Sequence, residues 1–362
     1  MRSPLRIATV YKRDLFRNFA PAKMSTIRWL RMSEGLAALG HRVDMIMNGN
    51  GLGHATKPNL RSVPFADVDW NSYDVVKTLF HSGFESLHEE GGGNHPFIIS
   101  KLGSVVGNHD DTAGVYFFNH EREHLYRIQE QIRERSRYVT LLTTASRRLW
   151  EDTFGSTDNL LHVPTGVDRE VPAANDNPYA RFSEPIAIYA GNIYGETQPE
   201  INMLWQDRLN RLGTLLRQKG IRLCFIGTGL VDRLDRTAVT VMSEVDNREV
   251  WDYKRFASVG LVLAQGQTQH NESSKLYYYL RAGLPVVSEA PVPNNFLIHA
   301  TGMGHVAEYD DDRTLVDMVE SAVHREWPRR EGIEYVVTHH SWDKRVATYD
   351  EVIRARLAVE TG

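Results

Sequence analysis

Cysteine is almost missing from this 362-residue chain. A single Cys224, inside the apolar run Leu223-Cys224-Phe225-Ile226, excludes an internal disulfide framework and suits a reducing compartment. Long apolar runs are missing as well. No stretch approaches the ~20 residues that span a bilayer, and Arg2, Arg6 and Lys12 bracket only a short apolar segment at 7–10, so no secretory leader is read. The expectation is a cytoplasmic protein. Neither sign of charge dominates: 42 Lys+Arg stand against 46 Asp+Glu, which argues against a nucleic-acid binder resting on a basic surface. No His-Glu-x-x-His, paired Cys-x-x-Cys or Gly-x-x-x-x-Gly-Lys-Ser/Thr occurs, which removes the commonest zinc and P-loop readings.

What is present alternates in the manner of an α/β protein. Residues 6–10 read as a strand, Ser25 as the N-cap of a helix carrying Ile27, Leu30, Leu36 and Leu39 inward, Gly40 as its stop, and 43–47 as the next strand. Such a β-α-β opening requires parallel strands and a right-handed crossover. Strands are predicted over 73–80, 96–99, 102–106, 137–143 and 160–163, with Gly91-Gly92-Gly93 as a turn between the first two. The pattern restarts with strands at 185–191, 222–227, 259–264 and 285–287 and helices at 204–219 and 274–282. The organisation follows as an N-terminal domain over 1–170, a turn-rich linker over 171–184, a C-terminal domain over 185–340 and a closing helix over 341–362 that either packs on the second domain or crosses back to the first.

The chemistry concentrates at residues 271–287. Ser273 or Ser274 can cap the helix, leaving backbone N–H groups and the positive dipole end for an anion. Spacing by three and four puts Lys275, Tyr278 and Ala282 on one face and Leu276, Tyr279 and Leu280 on another, so Lys275 is the phosphate ligand while Leu276 anchors the core.

These residues resemble a known family. Ser274-Lys275-Leu276-x-x-Tyr279-Leu280-x-x-Gly283-Leu284-Pro285-Val286-Val287 looks like the nucleotide-sugar motif of GT-B glycosyltransferases, especially bacterial polysaccharide enzymes related to glycosyltransferase family 4. Leu39-Gly40-His41-Arg42-Val43, Val163-Pro164-Thr165-Gly166-Val167-Asp168, Ile188-Tyr189-Ala190-Gly191, Phe225-Ile226-Gly227-Thr228-Gly229 and Ser341-Trp342 resemble further family segments in the same order. The resemblance implies two Rossmann-like doubly wound domains facing a cleft, with sugar transfer from a nucleoside-diphosphate sugar to a hydroxyl acceptor. It places the donor at Gly191, Asn192, Gly227, Glu272, Ser273, Ser274, Lys275 and Tyr278, with no metal and no further cofactor. Two departures stand out. Tyr278 and His270 occupy positions where many family 4 enzymes have glutamates, and Asn192-Ile193-Tyr194 follows Gly191 where relatives offer an arginine and a lysine. Lys254 or Arg255 then assists Lys275.

The acceptor side falls to the first domain. Gly107-Asn108-His109-Asp110-Asp111 supplies the base, with Asp110 ranked first, then His109, then Asp111; His120-Glu121 is the rival. Lys23 and His81 are the acceptor-binding candidates. The basic, aromatic region around Lys12, Arg13, Phe16 and Arg17 leaves open a peripheral contact with the inner membrane face or a lipid-linked acceptor. Two other readings share the fold: a nucleotide-sugar 2-epimerase and a non-catalytic nucleotide-sugar-binding protein. The oligomeric state is not read from sequence.

Overall fold

The computed structural model describes residues 3–13, 24–48, 57–107, 119–191, 193, 199–227, 229–242, 245 and 250–361. The chain divides into two units, Met1–Gly166 with Trp342–Gly362, and Val167–Ser341.

In the first unit, β1 (Arg6–Val10), β2 (Arg42–Ile46), β3 (Leu60–Val63), β4 (Val75–Leu79), β5 (Ile98–Lys101), β6 (Tyr138–Leu141) and β7 (Leu160–His162) form one sheet in the order β3-β2-β1-β4-β5-β6-β7. Every pairing is parallel. The pleat sends Ile7 to one face, where Trp29, Met32 and Leu36 of α1 (Met24–Ala38) and Trp342, Val346 and Tyr349 of α11 (Trp342–Thr361) cover it. Ala8 and Val10 go to the other face, under α2 (Phe80–Glu89), α3 (Asn119–Arg135) and α4 (Thr144–Phe154). The closing helix therefore lies on the first unit although the second precedes it in sequence.

Two expectations change here. The strand predicted over 73–80 stops at Leu79 and Phe80 opens α2, which follows on the apolar end of β4 with no polar break between them. Residues 102–106 do not join the sheet as a strand, because the buried Gln129 side chain takes both polar backbone groups of Val106. The Val106 N–H donates to its Oε1 at 2.8 Å, and its Nε2–H donates to the Val106 carbonyl at 2.9 Å.

In the second unit, β8 (Ile186–Ala190), β9 (Arg222–Ile226), β10 (Val239–Met242), β11 (Val259–Val262), β12 (Val286–Glu289) and β13 (Gly304–Ala307) form a parallel sheet in the order β10-β9-β8-β11-β12-β13. One face packs α5 (Pro199–Gln218) and α9 (Asp312–His324). The other packs α6 (Val250–Phe256), α7 (Ser274–Arg281), α8 (Phe296–Thr301) and α10 (Arg329–His339). Residues 171–184, predicted as a linker, lie within this unit: Tyr179 is buried edge-on to Tyr253, and Trp251 Nε1–H donates to the Pro172 carbonyl at 3.2 Å. Cys224 is buried in the same core, where desolvation pushes its thiol up to about 12 and leaves it inert.

Strand order reverses beside the first strand of each sheet, between β1 and β4 and between β8 and β11. Ligands of open α/β sheets bind outside the carboxyl ends of the strands at such points.

Candidate functional site

At the second unit's switch point, α7 is seated across the end of β8. Leu276, Tyr277, Tyr279 and Leu280 are fully buried, and the Ala190 N–H donates to Tyr279 Oη at 2.8 Å. β11 admits the Tyr279 ring because residue 260 is glycine; a Cβ there would overlap the ring. That seating leaves Lys275 and Tyr278 on the partly exposed face, one turn apart.

Lys275 Nζ stands 4.9 Å from the centre of the Tyr189 ring. It passes over Gly191, where a Cβ would lie 2.6 Å from its Cε and 2.9 Å from its Nζ. Only glycine at 191 leaves that space. Withdrawal of the ammonium from water lowers its pKa to about 8, and among the described residues no carboxylate is paired with it. Gly227 backs onto the Gly191 carbonyl so closely that no side chain fits there.

Ser273 is the N-cap of α7, yet its side chain makes no capping hydrogen bond. Its backbone is held instead by Asn294, whose Oδ1 accepts from the Ser273 N–H at 2.8 Å and whose Nδ2–H donates to the Ser273 carbonyl at 2.9 Å. The Leu276 N–H turns back to the Ser273 carbonyl, and the amides of Ser274 and Lys275 head the helix. A helix end with amides, dipole and cation is suited to an anion. At the other end of α7, Arg281 donates to the carbonyls of Asp168 and Glu170.

The first unit's switch point is aromatic. The Tyr11 ring, just past β1, stands edge-on to Phe80 at 5.7 Å and to Trp29 at 6.0 Å. Phe80 has φ +63, a left-handed conformation that a bulky residue rarely adopts and that costs on the order of 1–3 kcal/mol. Its ring also abuts Gly103, just past β5, where a Cβ would lie 2.7 Å from Cε1.

No protein-family profile matches this chain, and no curated protein matches it. Solved structures do. The chain is similar to the sucrose-phosphate synthase of Thermosynechococcus elongatus, at 15% identity and TM-score 0.69 over 98% of this chain and 100% of that one. An Anabaena protein in complex with UDP and glucose gives TM-score 0.71 at 8% identity, over 97% and 100%. A glycosyltransferase from Rickettsia africae gives 0.69 at 9% identity, over 99% of each chain. This chain has the GT-B fold.

Within this GT-B chain, the predicted donor-side residues Gly191, Gly227, Ser273, Ser274, Lys275 and Tyr278 gather at the β8 and α7 edge. Glu272 does not turn to it. Its carboxylate is buried and accepts from Tyr277 Oη–H at 2.9 Å, because the helix carries Tyr277 into the core. Lys254 lies 5.2 Å from the Tyr278 ring centre, and burial and the charge of Arg281 lower its pKa to about 8. Arg255 is directed to the Ala282 carbonyl. His81 is buried with its Nε2 3.1 Å from Gln129 Oε1, and desolvation brings its pKa down to about 4. Its imidazole is a brace for Gln129 and the Val106 segment, not an exposed ligand. His109, Asp110, Asp111, Lys23 and Asn192 lie outside the described residues. Asn294 and Gln129 carry no sequence signal, since each acts on a backbone group more than twenty positions away. Among the described residues, no three His, Cys, Asp or Glu side chains are grouped to hold a metal ion, and no helix is long and apolar enough to cross a membrane.

Proposed function

We propose that this chain is a glycosyltransferase that moves a sugar from a nucleoside-diphosphate sugar to a hydroxyl acceptor, the diphosphate resting against the N-terminus of α7. The observation that carries this reading is Lys275, partly buried over Gly191 with no ion-pair partner among the described residues, in the first turn of a helix whose N-cap side chain makes no capping hydrogen bond. An anion there gains charge-assisted hydrogen bonds and relieves an otherwise uncompensated cation. The Anabaena structure of the same fold, which holds UDP and glucose, supports the ligand class.

During transfer the acceptor oxygen bonds to the anomeric carbon while the bond from that carbon to the β-phosphate oxygen breaks. The acceptor proton passes to a base, and the departing diphosphate takes up one further negative charge. Lys275 and the α7 amides are fixed where they meet that charge without reorganising. Tyr278, and Lys254 behind it, stand where a ribose or sugar hydroxyl is to be held. From sequence, Asp110 is the base, with His109 and Asp111 beside it. The segment leading to them is braced by Gln129 at Val106 and by Arg122 Nη2–H, which donates to the Gly107 carbonyl at 2.8 Å. Lys23 joins the acceptor side, and His81 serves it through Gln129. We place the reaction in cytoplasmic glycan synthesis, on a free or lipid-linked hydroxyl.

A thermal-shift and calorimetric screen of nucleoside diphosphates tests the reading. At least one should stabilise the wild type and lose most of its effect on Lys275→Ala. If no nucleotide binds, or if Lys275→Ala binds and turns over as well as wild type, the assignment fails. Binding with no transfer to any of a broad acceptor panel would make the chain a nucleotide-sugar-binding protein.

A further inference from the structure

The first unit has an aromatic feature that the donor site does not use. Phe80 is the residue directly after β4, and it is held at φ +63, where glycine would sit without strain. Strain of this kind persists only where the surroundings over-determine it and often marks a binding site. Here three neighbours determine it. The Tyr11 ring after β1 meets the Phe80 ring edge-on. Gly103 after β5 leaves the space that the ring edge fills. Gly83, one turn into α2, lets that helix approach β1, because a Cβ there would stand 2.8 Å from the Val10 carbonyl oxygen.

The strained ring consequently lies across the carboxyl ends of β1, β4 and β5, over the point where the strand order reverses, and it remains partly exposed. Polar groups flank it. The Tyr11 hydroxyl is set beside the Ser25 side chain and the Arg28 charge, and Arg28, with no ion pair among the described residues, donates to Thr165 Oγ1 at 2.8 Å. An apolar plate with a hydroxyl and guanidinium rim matches a ligand with one apolar face and a polar perimeter. It does not match an acyl chain or an acyclic polyol.

We infer that Phe80 is the stacking platform for the ring of a pyranoside acceptor, its backbone strain maintained to present the ring at the switch point of the first unit. This deepens the proposed glycosyl transfer and rests on it for the word acceptor. The ring–ring contact itself is a binding claim that is tested without a donor.

The test is saturation-transfer NMR on the full chain with methyl gluco-, galacto- and mannopyranoside as ring probes and glycerol as the acyclic probe. Variants are Phe80→Trp, Phe80→Leu and Phe80→Gly, and each is also melted with and without UDP. Wild type and Phe80→Trp should saturate the ring protons of at least one pyranoside, and Phe80→Leu and Phe80→Gly should weaken that binding by about tenfold or more. Phe80→Gly should melt no lower than Phe80→Leu, because it relieves the positive φ. The UDP-induced shift should be the same in all four proteins. The inference is overturned if no pyranoside binds the wild type, if Phe80→Gly binds it equally well, or if glycerol shows the same dependence on Phe80. Loss of the UDP shift in wild type would instead count against the donor assignment, leaving the pyranoside result to be judged by itself.

Discussion

Lys275 and Gly191 are a matched pair: the lysine's Nζ passes 2.9 Å from the place a Cβ at 191 would occupy. Gly191→Ala should therefore displace the ammonium and imitate its loss. Lys275→Ala should weaken nucleoside-diphosphate binding by about 1.5–3 kcal/mol, the range for hydrogen bonds to charged groups. Gly191→Ala should give part of that effect, and the double variant should be no worse than Lys275→Ala. Fully additive losses in calorimetry would show that the two positions act independently.

Nucleotide binding should depend on pH through the same lysine. Its pKa in the free protein lies near 8, lowered by burial, so the cation that attracts phosphate is lost as pH rises through that value. Affinity should fall above pH 8, and the fall should be absent in Lys275→Arg, whose guanidinium stays charged. A flat wild-type profile between pH 7 and 9.5 would show that another group holds the phosphates.

Lys77 is a buried cation in the centre of β4 whose nearest aromatic partner is Tyr349 on α11, 4.7 Å away. Desolvation lowers its pKa from 10.5 to about 7. Between those values the unfolded chain holds a proton that the folded chain lacks, so this group makes stability rise with pH across that window. Its cost is greatest below pH 7. Lys77→Met should raise the melting temperature by several degrees near neutral pH and flatten the dependence from pH 7 to 10. The check is melting across that range; an unchanged slope would show that the lysine reaches water.

His41 ties three elements together. The Leu5 N–H donates to its Nδ1 at 3.2 Å, so Nε2 carries the proton and donates to Asp350 of α11 at 2.8 Å. His41→Ala leaves the Leu5 amide without its acceptor and removes one of two donors from the Asp350 carboxylate, which keeps Arg354 Nε–H at 2.6 Å, and should cost about 1–3 kcal/mol in equilibrium urea unfolding. A loss within about 0.5 kcal/mol, the level of ordinary surface changes, would mean that α11 docks without this link.

Much of the fold was legible because its signals are local. Residues 6–10 and 185–191 are dense in β-branched and apolar side chains, and their strands lie within one or two residues of expectation. The apolar face of α7 at Leu276, Tyr279 and Leu280 follows from its own spacing. The helix at Phe80–Glu89 was not legible, since its ten residues follow directly on the apolar run of β4 with no polar break to mark a new element. Glu272 was legible as a carboxylate near the site but not as one turned inward, because its partner is the core-facing Tyr277.

The sequence by itself determined most strand positions and that a helix with a lysine in its first turn follows a strand–loop repeat, since each depends on neighbours a few residues away. Tertiary structure alone decided that Lys275 crosses Gly191, that Asn294 takes the cap's backbone, that Gln129 withdraws Val106 from the sheet and that Phe80 is strained across three strand ends. Each of those is a contact between segments distant in the chain, set by how parallel strands and their crossover helices bring their ends together.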